Sequence, residues 1–343
     1  MKNLLSNTQF ALNESRIKPV VAIVAIVILL VYPFIFYTPF MRNLGIITLM
    51  WMCLGSAWNI FGGYTGQVSL GHAMFFGVGA YGVAIPFFYW RITPWIGIFV
   101  GIFFAILLAL LVAIPIFRLS AQYFAIATIA LGETMRIVAI NLPITRGMRG
   151  IDWLDFSMNP LLSLQFRSRL PFYFGFAVLF LIVIGVMLYI NCTKWGYYFR
   201  TIKANETAAE SVGIDTRRYK TYALVTSAII CSVCGSIYAQ YLLYIDPSTV
   251  FIGEISTRMV LMVVIGGIAT IQGPVIGALI LVPLSEFTRI RFGADIPGLD
   301  LVIYAVTIII VILYKPQGVI SIGDTIRRML AKYRSRKNAG AGV

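Results

Sequence analysis

The 343-residue chain is 59% hydrophobic and 12% charged, with a formal net charge of +14. A soluble domain carries about 25% charged residues, so this chain cannot present a water-facing surface all round, and apolar runs recurring from end to end exclude a single anchor on a soluble domain. In a membrane chain the basic excess belongs in cytoplasmic loops facing anionic headgroups, which argues against nucleic acid and for membrane lipid as its partner.

After Lys2, Arg16 and Lys18, the first apolar run predicts an uncleaved helix near 19–38. Runs long enough to cross about 30 Å of hydrocarbon follow near 43–62, 68–90, 94–117, 121–141, 170–191 and 219–245. The stretch 257–290 is too long for one span and is interrupted by Gly266, Gly267, Gly273 and Pro274. Glycine and proline break or kink helices, so it divides into 257–268 and 273–290. A last span near 299–315 completes an all-α polytopic membrane protein of about ten transmembrane helices, with a Gly-broken segment in each half. The chain reads as one transmembrane domain over 1–343.

Ten crossings return both termini to one side. With the N-terminus inside, seventeen Lys and Arg fall inside and nine outside, with Arg136 within a span. That satisfies the positive-inside rule. The polar stretch 142–169 is then an extracytoplasmic loop, 192–218 a cytoplasmic loop and 327–343 a basic cytoplasmic tail.

No Walker A sequence, HExxH or GxSxG elbow is present, and His72 is the lone histidine. No catalytic residue, metal site or cofactor is expected on this chain. Cys231 and Cys234 form a CxxC inside an apolar helix pattern, which reads as small packing residues. The segment Phe61 to Gly82 sets Gly66 and Gly71 among Gln67, Ser69 and His72. Its counterpart, Ile265 to Ala278, begins with Gly266 and Gly267. Polar groups and broken helices at membrane depth line a cavity or are buried in protein, so a translocation pathway and tight helix packing both fit. Glu133 and Arg136 stand at i, i+3 on one helix face and can pair, as a structural ion pair or a polar point on a pathway.

The inner loop holds NETAAESVGID. Asn205 is a suitable N-cap and Gly213 a suitable stop for a short helix. Ala208 and Ala209 would give it a small face for docking a partner, and Glu206 and Glu210 an acidic one.

ANETAAESVGID resembles the EAA loop of ABC importer permeases. GYTGQVSLGHAMFFGVGAY, ALGETMRI, TRGMRGI, MVVIGGIATIQGPVIGA and YKPQGVI resemble, in content and order, the branched-chain amino acid permeases of the LivM type over about residues 40–325. The resemblance implies a multi-pass permease of the bacterial inner membrane. It implies a second homologous permease, two cytoplasmic ATPase subunits that bind ATP and Mg, and an extracytoplasmic solute-binding protein. By motif position, Glu206, Ala209, Glu210 and Gly213 would be coupling-loop residues. Gly66, Gln67, Ser69, Gly71 and His72 would line or gate the pathway, with Glu133, Arg136, Gly266 and Gly267 as further pathway candidates. Arg149 departs from the Asp or Asn common in the family's outer loop, and Arg146 adds a second cation. Relatives carrying urea or short amides resemble the chain equally. An ion-coupled secondary transporter would need paired intramembrane carboxylates, and the chain shows one clear embedded acid.

Overall fold

The computed structural model describes residues 19–119, 121–153 and 159–292, with six isolated positions beyond them. The chain runs through α1 (Pro19–Ile35), α2 (Pro39–Trp58) with a π turn at Asn59–Gly63, α3 (Ala73–Trp90), α4 (Pro94–Ile116) and α5 (Ala121–Asn141). An outer segment holds two 3₁₀ turns (Pro143–Thr145 and Gly147–Arg149), β1 (Ile151–Asp152) and α6 (Pro160–Ser163). Then come α7 (Leu170–Cys192), α8 (Lys194–Ala204), α9 (Glu206–Ser211), α10 (Thr216–Leu242), β2 (Tyr244–Ile245), α11 (Pro247–Val250), α12 (Gly253–Gly266) and α13 (Gln272–Phe292). Among the described residues, eight helical segments are long and apolar enough to cross a membrane, and α1 is a shorter apolar helix. The expected last span and the basic tail lie outside the described residues, apart from isolated positions.

Local chemistry sets the helix ends. Proline occupies the first position of α2, where its missing N–H costs nothing, and Thr38 caps the next turn by accepting from the Met41 N–H. Asp215 caps α10 in the same way, accepting from the Arg218 N–H at 3.0 Å. The expected span at 68–90 begins only at Ala73, because Gly66 takes a left-handed φ of 77° and leads the chain out of helix.

The centre of the bundle is α2. Every residue from Thr48 to Thr65 is buried. A helix buried all round is a core element, in contrast to a peripheral helix with one apolar stripe. Around it pack α7, α10, α12 and α13. Beside it α3 crosses α10 at backbone contact: a Cβ on Gly79 would lie 1.9 Å from the Ser232 carbonyl oxygen, and one on Gly235 would lie 2.0 Å from that of Phe76. Small residues permit this approach, which maximises dispersion where no hydrophobic drive between helices exists. The outward faces of α4, α5 and α7 carry exposed Phe99, Phe103, Ile114, Ile126 and Ile182. In water such a surface would aggregate; in lipid it is solvated.

The helix ends gather on two faces, in the alternation expected for a chain that crosses and recrosses. On one face, Asn191 at the end of α7 meets Tyr64, and Lys203 meets Gly63. On the other, Ile151 pairs with Ile245 and Asp152 with Tyr244 in an antiparallel ladder. There too the Trp95 indole donates to the Leu161 carbonyl, and Arg169 donates to that of Pro39. The first face carries the 192–218 loop, which the positive-inside count expects to be cytoplasmic.

Candidate functional site

On the face that carries α8 and α9 the two Gly-broken segments meet through Asn59, which is fully buried in the π turn of α2. Its Nδ2 donates to the Thr270 carbonyl at 2.7 Å, and its Oδ1 accepts from the Ala269 N–H at 2.9 Å. The 267–271 turn between α12 and α13 leaves helix geometry at Gly267 (φ 135°) and Ala269 (φ 63°). The Gly267 N–H still reaches the Val263 carbonyl at 2.8 Å, and past it the Asn59 amide supplies one donor and one acceptor to the turn. Gly266 and Gly267 are buried in this packed turn.

The same π turn is held from the 192–218 loop. Lys203, at the end of α8, donates from Nζ to the Gly63 carbonyl at 2.8 Å. Burial, and then the neighbouring Arg200 cation, lower the Lys203 pKa below the usual lysine value. Gly66 lies under the Lys203 stem, so close that a Cβ there would come 3.1 Å from Cγ. Arg200 donates to Asn191 Oδ1, and Asn191 donates to the Tyr64 hydroxyl at 2.8 Å. Two polar chains thus tie α8 to the inner end of the central helix.

From Gly66 to His72 the backbone turns back into the bundle without helix. Hydroxyl and indole groups satisfy it: Trp58 Nε1 donates to the Ser69 carbonyl at 2.7 Å, Thr128 Oγ1 accepts from the Leu70 N–H at 3.0 Å, and Ser256 Oγ accepts from the Ala73 N–H at 2.8 Å. His72 is fully buried, with Nδ1 2.9 Å from Ser69 Oγ and Nε2 3.0 Å from Ser227 Oγ. Ser227 lies about 16 Å along α10 from its inner end at ~1.5 Å rise per residue, so this polar set sits at membrane depth. Irregular backbone there must be paired internally. Ser69, Gly71 and His72 therefore pin α3 to α5, α10 and α12, whereas Gly66 and Gln67 remain partly exposed.

Glu133 and Arg136 form a bidentate pair, with Arg136 Nε 3.0 Å from each Glu133 oxygen. The pair does not face this chain's interior. It stands on the outward face of α5, beside exposed Ile126, Ile129 and Ile137. Arg146 and Arg149 are exposed on the opposite face from the 192–218 loop, with the Arg146 guanidinium 5.1 Å over the Phe88 ring.

In the 192–218 loop, Asn205 Oδ1 caps α9 by accepting from the Ala208 N–H at 3.1 Å. Gly213 (φ 83°) closes the helix, with the Ile214 N–H returning to the Ala209 carbonyl at 3.0 Å. The expected alanine face is split: Ala209 is fully buried against the chain and Ala208 is exposed. The acids lie on the side next to α10, Glu206 half-buried and Glu210 exposed. The Thr216 hydroxyl contacts both Glu206 Oε1 (3.2 Å) and Glu210 Oε1 (2.7 Å), and Glu206 also pairs with buried Lys220 at 2.5 Å. The exposed residues of α9 and its end are Thr207, Ala208, Glu210, Ser211 and Val212, the last 72% exposed.

Residue types alone did not single out Asn59, Lys203, Ser227 or Val212. Asn59 and Ser227 are isolated polar residues inside apolar runs, which is the available signal. Among the described residues no group of three His, Cys, Asp or Glu forms a metal site.

The family described as branched-chain amino acid transport system, permease component, matches residues 40–312. The high-affinity branched-chain amino acid transport system permease protein LivM of Escherichia coli K12 is 25% identical over 337 residues, covering 90% of this chain and 77% of the relative. The LivM protein of Salmonella typhimurium is 24% identical over 309 residues, covering 82% and 71%. A probable LivM permease of Methanocaldococcus jannaschii is 23% identical over 218 residues, covering 60% and 62%. No solved structure matches.

Proposed function

Because the chain belongs to the branched-chain amino acid transport permease family and is a multi-pass inner-membrane protein, we propose that it is one of two pore subunits of an ATP-driven importer. Its cargo is branched-chain or related amino acids, moved by alternating access. ATP and Mg sit on two cytoplasmic ATPase subunits, a second permease completes the pore, and an extracytoplasmic binding protein delivers the solute.

The observation that carries this reading is the unbroken set of contacts from the coupling loop to both broken segments. A push on α9 passes to α8, through Lys203 to Gly63, and through Asn59 to Ala269 and Thr270. A pore subunit that does no chemistry needs such a path, because its energy arrives at a distance and must move packed elements between discrete arrangements. Val212 and Ala208 are the docking surface of the loop. Glu206 and Glu210 hold that surface in place against α10. The outward Glu133–Arg136 face of α5 meets the second permease, which removes a bidentate ion pair from lipid.

Purification from native membranes in mild detergent, with mass spectrometry of stoichiometric partners, tests the assembly. Two P-loop ATPases and a second permease are expected. Recovery of this chain alone, under conditions that keep a control importer intact, refutes it. Leucine uptake by proteoliposomes holding the recovered complex and its binding protein then tests the cargo.

A further inference from the structure

A cleft of about 410 Å³ lies in the outer half of the bundle, between α2, α10, α12 and α13. Its lining joins a charged part, the rim, to an apolar part, with Asn43, Tyr241 and Thr249 as further polar groups. Glu254 and Arg258 line it from α12, and Glu286 and Arg289 from α13. Ile47 and Trp51 of α2 supply part of the apolar lining. Arg258 Nε donates to Glu254 at 2.8 Å, and Arg289 donates to Glu286 Oε2 at 2.7 Å. Glu286 is the most enclosed of the four, its side chain only 15% exposed.

We infer that this cleft is a binding site for the zwitterionic form of an apolar amino acid, a way-station on this single subunit; the inference rests on the proposed import of such solutes. Two carboxylates and two guanidiniums give the rim no net charge. Glu286 and Arg258 are the shielded members, 15% and 25% exposed, and charge contacts to them are stronger than in open water. A net-charged solute gains attraction from one pair member and equal repulsion from the other. A zwitterion gains from both, its ammonium toward Glu286 and its carboxylate toward Arg258, because its own opposite ends match the rim. The apolar part takes the aliphatic side chain. The volume falls within the range of small-molecule sites, where a few polar groups orient a ligand over an apolar lining. The site lies at the outer ends of the helices, on the side where a binding protein releases its load.

The test is equilibrium binding of radiolabelled leucine to the whole importer complex without its binding protein, in nanodiscs with and without phosphatidylethanolamine. Saturable binding is expected, displaced by valine but at least tenfold less well by 4-methylpentanoate, which lacks the ammonium. In Glu286→Gln the rim becomes net positive, so leucine binding falls at least tenfold and 4-methylpentanoate becomes the better competitor. In Arg258→Gln the preference moves to 3-methylbutylamine. A merely damaged fold does not invert selectivity in opposite directions. No saturable leucine binding, loss without inversion, or leucine binding seen only when phosphatidylethanolamine is absent (a site filled by lipid headgroup) overturns the inference. Leucine uptake with the binding protein present separates the outcomes: intact uptake without cleft binding leaves the importer reading standing, and absent uptake removes the cargo.

Discussion

Replacing Asn59 by alanine removes the junction between the two broken segments without touching the loop or the outer face. The side chain is fully buried, and its loss leaves the Ala269 N–H and the Thr270 carbonyl without their partner. Each buried unpaired group costs about 1–3 kcal/mol. The Thr270 end is partly accessible, so water recovers a share, and about 3 kcal/mol is the expected sum. That weakens the junction by roughly a hundredfold, at ~1.4 kcal/mol per factor of ten. The assay is leucine uptake and ATP hydrolysis measured together in proteoliposomes. ATP turnover should persist while solute moved per ATP falls at least tenfold, because α9 still docks but its motion no longer reaches the 267–271 turn. A variant that elutes as a monodisperse complex and keeps the wild-type ratio refutes the transmission path.

Val212→Asp should leave the permease folded, since substitutions at exposed positions cost within about 0.5 kcal/mol, yet lower ATPase recovery in the pull-down at least tenfold. Glu206→Lys sets a second ammonium against buried Lys220; because Glu206 is itself 40% exposed, the local cost is about 2 kcal/mol, below that of a fully buried broken pair, and limited proteolysis should cut faster at residues 204–214. Gly235→Val cannot be housed beside the Phe76 carbonyl and should abolish the monodisperse peak in size exclusion, whereas Gly175→Ala, whose nearest neighbour atom lies at 4.0 Å, should leave it unchanged. Glu133→Gln strands Arg136 on an apolar face and should reduce recovery of the second permease, and adding Arg136→Gln should restore part of it; equal recovery in all three proteins refutes the interface.

The architecture was legible because the bilayer imposes it. Length and apolarity locate spans whose backbone bonds are satisfied internally, and Gly-Pro interruptions mark where they stop. The split of 257–290 at Gly266 and Pro274 matches the turn that separates α12 from α13. Hydropathy is blind to what happens inside a run that remains apolar. It extended the third span back to 68, because Val68, Leu70 and Ala73 score as helix while Gly66 and the Ser69–His72 contact remove the segment from it. It also could not rank helices by depth. The centrality of α2 follows from which neighbours surround it, and some of those neighbours lie more than two hundred residues away in sequence, as the Asn59–Thr270 bond shows.

The coupling loop shows the same limit at short range, with a consequence for mechanism. Asn205 as cap and Gly213 as stop are local properties, set by side-chain oxygen and permissive φ, and both stand in the structure as the sequence implies. The direction of the acidic face is not local. Six helical residues present Glu206 and Glu210 on one side whichever way that side turns. What decides is Lys220, a cation at the start of an apolar helix that is buried and must have a carboxylate beside it. Once Glu206 meets that need, Thr216 meets Glu210, and Ala209 is forced inward as the residue between them. The acids then serve rigidity. A docking helix moves a span only if it does not rotate on its own loop, and an ion pair with one partner buried in α10 fixes it to the element it must move. Recognition falls to the surface left outside, where Val212 and Ala208 stand one helical turn apart.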